Sequence, residues 1–239
     1  MIQKSLCLLV LLVALAYLPS EAATYEELDR SFSNGDFQRV IRLAAADLKR
    51  EPSNIDALYF LGVAYARLDQ HGKALQFLTQ FEKIHDVVEQ KQKNERAPGS
   101  TADFLLIDAR YCPAYFLLGE HYVKISDFLR ADRHLQRAKA RYGNDPMLNF
   151  YLGLASLELS KFEESRKYFH RMMELNPGEP SPLYNIAASY AREGKSREAL
   201  DWLKRAVDAH PKYREEAAVD ADFASLKQTQ EFRRLTSPP

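Results

Sequence analysis

The sequence predicts an all-α protein, an α-solenoid of stacked helix-turn-helix hairpins closed by a C-terminal capping helical segment. Leu118-Gly119, Leu152-Gly153 and Ile186-Ala187 follow one another at intervals of 34 residues, and Pro177 and Pro211 repeat that interval. Between these marks, apolar residues recur with a helical period of roughly 3.6, break at a short polar turn and resume. Because neither helix of such a hairpin can bury its apolar face alone, neighbouring hairpins must stack into one continuous core.

The amino terminus has a different character and predicts a secretory signal. Lys4 precedes an apolar run from Leu6 to Leu18, and small residues then allow cleavage after Ala22 or Ala23. The run is shorter than the roughly 20 residues of a membrane-spanning helix, so an uncleaved anchor is the less favoured alternative. We therefore expect an exported protein, periplasmic or extracellular, with no stable membrane insertion after signal cleavage.

The composition of the chain limits which partners it is expected to bind and which chemistry it is expected to perform. The 33 basic and 33 acidic side chains cancel, so no bulk attraction to nucleic acid is predicted. Cys7 lies in the signal, which leaves Cys112 as a buried spacer and allows no internal disulfide. The histidines fall at no spacing that gives a metal pair on one helix, and no phosphate-loop motif occurs. No catalytic residue, metal or cofactor is predicted, and we do not expect an enzyme.

Five repeat units can be aligned, with starts at Glu21, Ile55, Cys112, Pro146 and Pro180. An extra 23 residues, Glu89 to Tyr111, separate the second unit from the third, and their apolar run Phe104–Ile107 should be buried. This insert either packs between the two repeat units, or it folds as a removable plug into a groove of the solenoid where a partner would otherwise bind. The predicted segments are a signal peptide (1–23), N-terminal units of which the first is partial (24–88), the insert (89–111), three consecutive units (112–213), and a cap with a loose tail (214–239).

Residues at fixed offsets in these units carry a family resemblance. The eighth position, where two helices must approach closely, holds a small residue, and the eleventh is tyrosine in three units. Prolines follow three of the second helices. The residues concerned are Gly62, Gly119, Gly153 and Ala187, then Tyr65, Tyr122 and Tyr190, then Pro52, Pro177 and Pro211. As a set they resemble the tetratricopeptide repeat over about residues 24 to 213. Ser156 and Ser165 depart from the pattern, replacing Tyr and Ala in the fourth unit.

Beyond Lys212 the period fails, yet apolar residues still mark one face of a short helical segment, which we expect to cap the last hairpin. They are Phe223, Leu226, Phe232 and Leu235. Together with Asp220-Ala221-Asp222, this pattern resembles the closing segment of many bacterial repeat proteins and points to a bacterial envelope.

The resemblance also implies where a partner would bind, because in this family one face of the first helices lines a concave groove. The fifth positions there form an aromatic ladder, Leu154, Leu157 and Met147 extend the apolar lining, and polar side chains surround it. The predicted groove residues are Tyr59, Phe116, Glu120, Lys124, Phe150, Leu154, Glu158, Tyr184 and Arg192. Such a ladder suits an extended peptide or an inserted helix. The alternative is that these aromatic side chains only support packing between hairpins.

The sequence therefore predicts a non-enzymatic adaptor that binds a peptide or protein segment during assembly or secretion in the envelope. Two alternatives stay open: a self-associating scaffold, hence a homo-oligomer, and a small-molecule receptor or enzyme that uses the insert as a lid. The partner's identity does not follow from the sequence.

Overall fold

The structure is a computed structural model that describes residues 22–94 and 109–237. The chain divides into two compact units at Gln90/Lys91, within the last turns of one helix. Most of the predicted signal and the apolar run Phe104–Ile107 lie outside the described residues. Within the described part of the chain, no helix is both long enough and apolar enough to cross a membrane.

The first unit consists of two helical hairpins. Their helices are α1 (Tyr25–Ser33), α2 (Phe37–Arg50), α3 (Ile55–Arg67) and α4 (His71–Asn94). The first three begin at polar caps, whose side-chain oxygens accept hydrogen bonds from the first turn: Thr24 from Glu27, Asp36 from Arg39 and Asn54 from Ala57. Each cap satisfies a backbone donor that the helix itself cannot.

Three further hairpins build the second unit. A 3₁₀ turn (Ala109–Tyr111) leads into α5 (Cys112–Lys124), followed by α6 (Phe128–Tyr142), α7 (Pro146–Glu158), α8 (Phe162–Leu175), α9 (Ser181–Arg192) and α10 (Ser196–Ala209). Proline stands within the first two positions of α5, α7 and α9, where its missing N–H costs no hydrogen bond. The predicted solenoid of helix-turn-helix units is confirmed.

All five described hairpins turn in the same way. The residue that leaves each first helix takes a left-handed conformation, with φ between 55° and 83°. The next residue then donates its N–H to a carbonyl five positions back, at 2.8 to 3.0 Å. These are Schellman motifs, which close the helix end and start the second helix. The left-handed residues are Gly35, Asp69, Ser126, Ser160 and Gly194.

In four of the five described hairpins, a small residue at the eighth position lets the two helices touch. A Cβ added to Gly119 would lie 2.5 Å from Leu135 Cγ, and one added to Gly153 would lie 2.6 Å from the Phe169 ring. Both neighbours are fully buried. Close approach, predicted from the repeated glycines, is therefore what the fold requires.

The fourth hairpin accommodates its two departures from the family pattern inside the core. Ser156 and Ser165 are fully buried, and Ser165 Oγ donates a 2.9 Å hydrogen bond to the Gly153 carbonyl. Cys112, predicted to be a buried spacer, is also fully buried, and its thiol lies 3.6 Å from the Arg137 carbonyl.

The predicted cap is present at the carboxyl end of the second unit. It comprises α11 (Lys212–Val219), a 3₁₀ segment (Ala221–Leu226) and α12 (Gln230–Thr236). Phe223, Leu226 and Phe232 are buried in one cluster with residues of α9 and α10, and Leu235 packs against that cluster. The last hairpin is thereby shielded from water.

Candidate protein-binding face

The first helices of the second unit follow one another in space. α5 packs on α7, α7 on α9, and α9 on the 3₁₀ segment of the cap. We call the side of these elements that carries Phe116, Phe150, Tyr184 and their polar neighbours the first-helix face. Half-buried side chains on this face bridge each element to the next.

At the α5 end, an aromatic pair and a hydrogen bond join α5 to α7. The rings of Phe116 and Tyr151 lie edge to face at 6.3 Å, and the Tyr151 hydroxyl donates to Glu120 at 3.1 Å. Lys124 pairs with the same carboxylate at 2.7 Å, so this end carries no uncompensated charge. Burial, then the Glu120 charge and hydrogen bond, raise the pKa of Tyr151 to about 12, which keeps the phenol a donor at neutral pH.

The middle of the face is apolar and belongs to α7. Met147 is exposed, Phe150 and Leu154 are half-buried, and the Phe150 ring rests 6.2 Å from that of the core residue Phe169. Phe150 thus serves packing on one side and still presents surface on the other. The prediction that Leu157 lines the groove is wrong, because it is 3% exposed and points into the core shared with α9 and α10.

At the cap end, Tyr184 is held by the cap itself. Its ring stacks on Tyr213 at 4.9 Å and meets Phe223 edge-on at 5.4 Å, while its hydroxyl donates to Asp220 at 2.6 Å. Burial, followed by that hydrogen bond, raises the pKa of Tyr184 far above its ordinary value. Tyr184 is therefore a half-buried anchor for the cap, not an open rung of a ladder.

Arg192 connects three elements at the same end. It pairs with Glu158 of α7 at 2.9 Å and with Asp222 of the cap at 3.7 Å. Burial raises the pKa of Asp222; Arg192 opposes this rise, and Asp220 and Glu158 add to it. Two carboxylates share one guanidinium here, and the Asp220 carboxylate lies close enough to Asp222 to raise its pKa further, so the face is neutral near α5 and acidic near the cap.

One predicted groove residue lies elsewhere. Tyr59 is in the first unit and is only 4% exposed, with its ring packed on those of Phe60 and Phe81 at 4.8 and 6.2 Å. In this structure its role is packing, the alternative that the sequence left open.

One grouping of ligand-type atoms was not predicted. On α4, side-chain atoms of His85, Asp86 and Glu89 lie within 4.8 Å of one another. Acidic groups often lie this close together without a metal ion, so the grouping alone does not define a metal site.

The structure adds Tyr151, Asp220 and Asp222 to the predicted face. Tyr151 follows the ladder residue Phe150 in the sequence. At that position of α7 a side chain lies between two first helices and can reach the preceding first helix, α5. The two aspartates belong to the closing pattern after Lys212, whose spacing predicted a cap but no contact with the face. No local signal in the sequence indicates that Asp222 meets Arg192.

Comparison with known proteins agrees with this architecture. The tetratricopeptide repeat family model matches residues 25–85, 116–180 and 157–214, together more than half of the chain. A TPR repeat-containing protein, YpiA of Bacillus subtilis (strain 168), is 27% identical over 116 residues, which are 48% of this chain and 27% of YpiA. The chain thus spans about a quarter of the length of this curated relative.

Solved structures show the same fold at low identity. YrrB, described as a TPR protein with an unusual peptide-binding site, is 20% identical with a TM-score of 0.56, covering 83% of this chain and 91% of YrrB. A structure of MamA from AMB-1 is also 20% identical, with a TM-score of 0.53 over 77% of this chain and 95% of MamA. With its repeat period, its hairpins and its family match in agreement, the chain belongs to the tetratricopeptide repeat family.

Proposed function

We propose that this protein is an exported adaptor that holds an extended peptide or protein segment on its first-helix face, in assembly or secretion at the bacterial envelope. The family is in general one of protein-interaction scaffolds rather than enzymes. The observation that carries the proposal is the combination of exposed or half-exposed Met147, Phe150 and Leu154 with polar groups at both ends of one surface.

The bridges across this face support binding by limiting its freedom before a partner arrives. Tyr151–Glu120 and Arg192–Glu158 fix side chains of neighbouring helices against each other. A surface held in this way loses little conformational entropy when a segment binds. The apolar middle would accept apolar side chains of the segment, and the polar ends would bind its backbone and polar groups.

The test is selection from a random peptide library displayed on phage, using the purified full-length protein. We expect enriched peptides that bind wild type and bind Leu154→Gln about tenfold or more weakly, since Leu154 lies in the middle of the face. Leu129→Gln is the matched control, because Leu129 is 73% exposed on the second helix α6. Failure to enrich any peptide, or equal loss in both variants, would contradict the proposed face.

Export is the second part of the proposal and is tested separately. The full chain, expressed in an export-competent bacterial cell, should be recovered outside the cytoplasm at a mass lower by the signal peptide. Recovery at full mass from the cytoplasm would contradict export, whether or not peptides bind.

A self-associating scaffold is the competing function, and one observation favours it. Ile125 and Leu129, at the turn of the third hairpin, are 56% and 73% exposed. Neighbouring exposed apolar side chains can mark an interface. If the protein is a self-associating scaffold, its molar mass measured by light scattering should rise with protein concentration. Leu129→Gln should abolish this rise, whereas Leu154→Gln should leave it unchanged.

A further inference from the structure

We propose that the chain is cut between Ala22 and Ala23, and that Asp47 is a buried receptor for the α-ammonium group that this cut creates on Ala23. The inference rests on the proposed export and deepens it, because it places the mature amino terminus at one residue and gives that terminus a structural role in the first hairpin.

The two groups are already in contact. The Ala23 nitrogen lies 3.1 Å from Oδ2 and 3.3 Å from Oδ1 of Asp47, so it reaches both carboxylate oxygens. Asp47 is 2% exposed, and its other hydrogen-bond partner is Arg50, whose Nη2 lies 2.7 Å from Oδ1. A backbone N–H offers one hydrogen to two oxygens, whereas an ammonium offers three and carries a charge. The ammonium therefore adds a positive charge beside a buried carboxylate, which an opposite charge and further hydrogen bonds stabilise.

The position of Asp47 in the repeat makes a charged residue unexpected. The corresponding residue of the other four hairpins is apolar and buried in each case: Phe81, Ala138, Met172 and Ala206. Asp47 also stands in the last turn of α2, where the helix dipole disfavours an acidic side chain. A carboxylate at this place is costly unless cations meet it, and Arg50 reaches only one of its oxygens at hydrogen-bonding distance.

The first hairpin differs from the others at the same point. The third residue of each later repeat unit lies inside its first helix and is buried, as Ala57, Ala114, Leu148 and Pro182 show. In the first repeat unit that residue is Ala23, which precedes α1 and its cap Thr24. Here the Ala23 backbone N–H and the Asp47 carboxylate stand at the positions where the other hairpins have buried apolar residues.

The sequence around the bond selects the same cleavage site. A cut after Ala22 places small residues, Ser20 and Ala22, three positions and one position before the bond, which matches the pattern that signal cleavage needs. A cut after Ala23 would place Glu21 at the outer of these positions. Ala22 is exposed, so the bond before Ala23 is accessible.

The chemistry is hydrolysis of one peptide bond by water, catalysed by a signal peptidase. The C–N bond between Ala22 and Ala23 breaks, the oxygen of water becomes the second oxygen of the Ala22 carboxylate, and both protons of that water end on the Ala23 nitrogen, which becomes an ammonium. That ammonium remains where the N–H was, facing Asp47, and Ala23 is only half-buried, so a water molecule can accept its third hydrogen.

The first test reads the amino terminus of the protein recovered from an export-competent bacterial cell. Edman sequencing or intact mass should give Ala23 as the first residue. A chain that begins at Thr24 would overturn this inference while leaving export intact. A chain that keeps the whole leader would overturn export, and the inference with it.

The second test measures the bond to Asp47 through a four-protein cycle. The chain from Ala23 is released from a fusion partner with a free amine or made N-acetylated, each with Asp47 or with Asp47→Asn. Other charges, including that of Arg50 beside Asp47, are the same in all four proteins and cancel in the cycle.

We expect acetylation to speed hydrogen exchange of α1 and α2 by about tenfold or more when Asp47 is present, because it removes the cation that faces the buried carboxylate. With Asp47→Asn, acetylation should have little further effect. Equal effects of acetylation in both backgrounds would overturn the pairing, and so would no effect in either. If Asp47→Asn does not fold, Asp47→Ala supplies the residue that the third and fifth hairpins carry.

Discussion

A small residue opposite a large one fixes the distance between the helices of each hairpin. Four hairpins place the small residue on the first helix, as with Gly119 opposite Leu135 and Ala187 opposite Leu203. The first hairpin reverses the pair in the same register, with Leu28 on the first helix and Ala44 on the second, both buried. Volume is conserved across the pair although neither position keeps its residue type, as close packing requires.

Gly119→Ala tests this pairing. The new Cβ would meet Leu135 Cγ at 2.5 Å and the Leu135 backbone nitrogen at 3.3 Å, and a γ carbon next to the backbone has little room to shift. We expect a loss of about 1 to 3 kcal/mol in the free energy of unfolding, measured by urea denaturation. Gly178→Ala is the control in the same unit, since an added Cβ meets nothing within 4 Å there. Equal stability of both variants would show that the helices separate freely.

Asp222 predicts a pH dependence of stability. Its pKa is raised in the folded protein, so the ionised carboxylate is less favourable there than in the unfolded chain. The resulting loss of stability is present at neutral pH and disappears as pH falls through the folded and then the unfolded pKa. Asp222→Asn should therefore raise Tm at neutral pH, and the difference should vanish at pH below about 4. Calorimetry across this range measures it.

The control for this prediction is Asp201→Asn, on the outer helix α10, where the side chain is 69% exposed. It should change Tm little at any pH. A lower Tm of Asp222→Asn at neutral pH would mean that the ion pair with Arg192 outweighs burial. A higher Tm of Asp222→Asn would indicate that the ionised Asp222 lowers the stability of the folded protein.

At the scale of the element, the hairpin turns show what the sequence did and did not predict. Asn34-Gly35-Asp36 and Glu193-Gly194-Lys195 are recognisable as turns because glycine tolerates the left-handed conformation. The same conformation at Asp69, Ser126 and Ser160 carries no glycine, and only the repeat register identifies it. The Schellman hydrogen bonds hold these three residues in a conformation that their local propensity disfavours.

Two of these turns allow opposite substitutions, with opposite effects expected on stability. Ser160 has φ 59°, which is strained for a residue with a Cβ, so Ser160→Gly should stabilise the protein by up to about 1 kcal/mol. Gly194, at φ 83° one repeat later, should lose a similar amount as Gly194→Ser. Thermal denaturation of the two variants measures both changes. Shifts of the same sign would show that backbone strain at the turn is not the governing effect.

Across the whole molecule, the repeat period predicts the hairpins well because it reports which residues must be small or buried. The repeat period predicts the first-helix face less well. A residue at a groove position faces either solvent or a neighbouring element, and the period does not say which. Leu157 is covered by the next hairpin and Tyr184 by the cap. The cap follows no repeat, so its contacts with the face come from the assembled structure alone.

The cap contacts both the core of the second unit and the first-helix face. A solenoid that ends without a polar outer surface exposes its last core, and Phe223, Leu226 and Phe232 cover that core here. The same segment supplies Asp220 to Tyr184 and Asp222 to Arg192. Removing one core ring should therefore loosen both the core and the acidic end of the first-helix face.

Phe223→Ala is the sharpest form of this prediction. We expect a loss of about 3 to 5 kcal/mol in the free energy of unfolding, because the ring is fully buried. The exposed apolar end should also promote self-association, seen as a mass that rises with concentration in light scattering. Val219→Ala is the control within the cap, since Val219 is 81% exposed and should change neither property. A Phe223→Ala protein that is as stable as wild type and associates no more than wild type would mean that the last hairpin closes the solenoid without the cap.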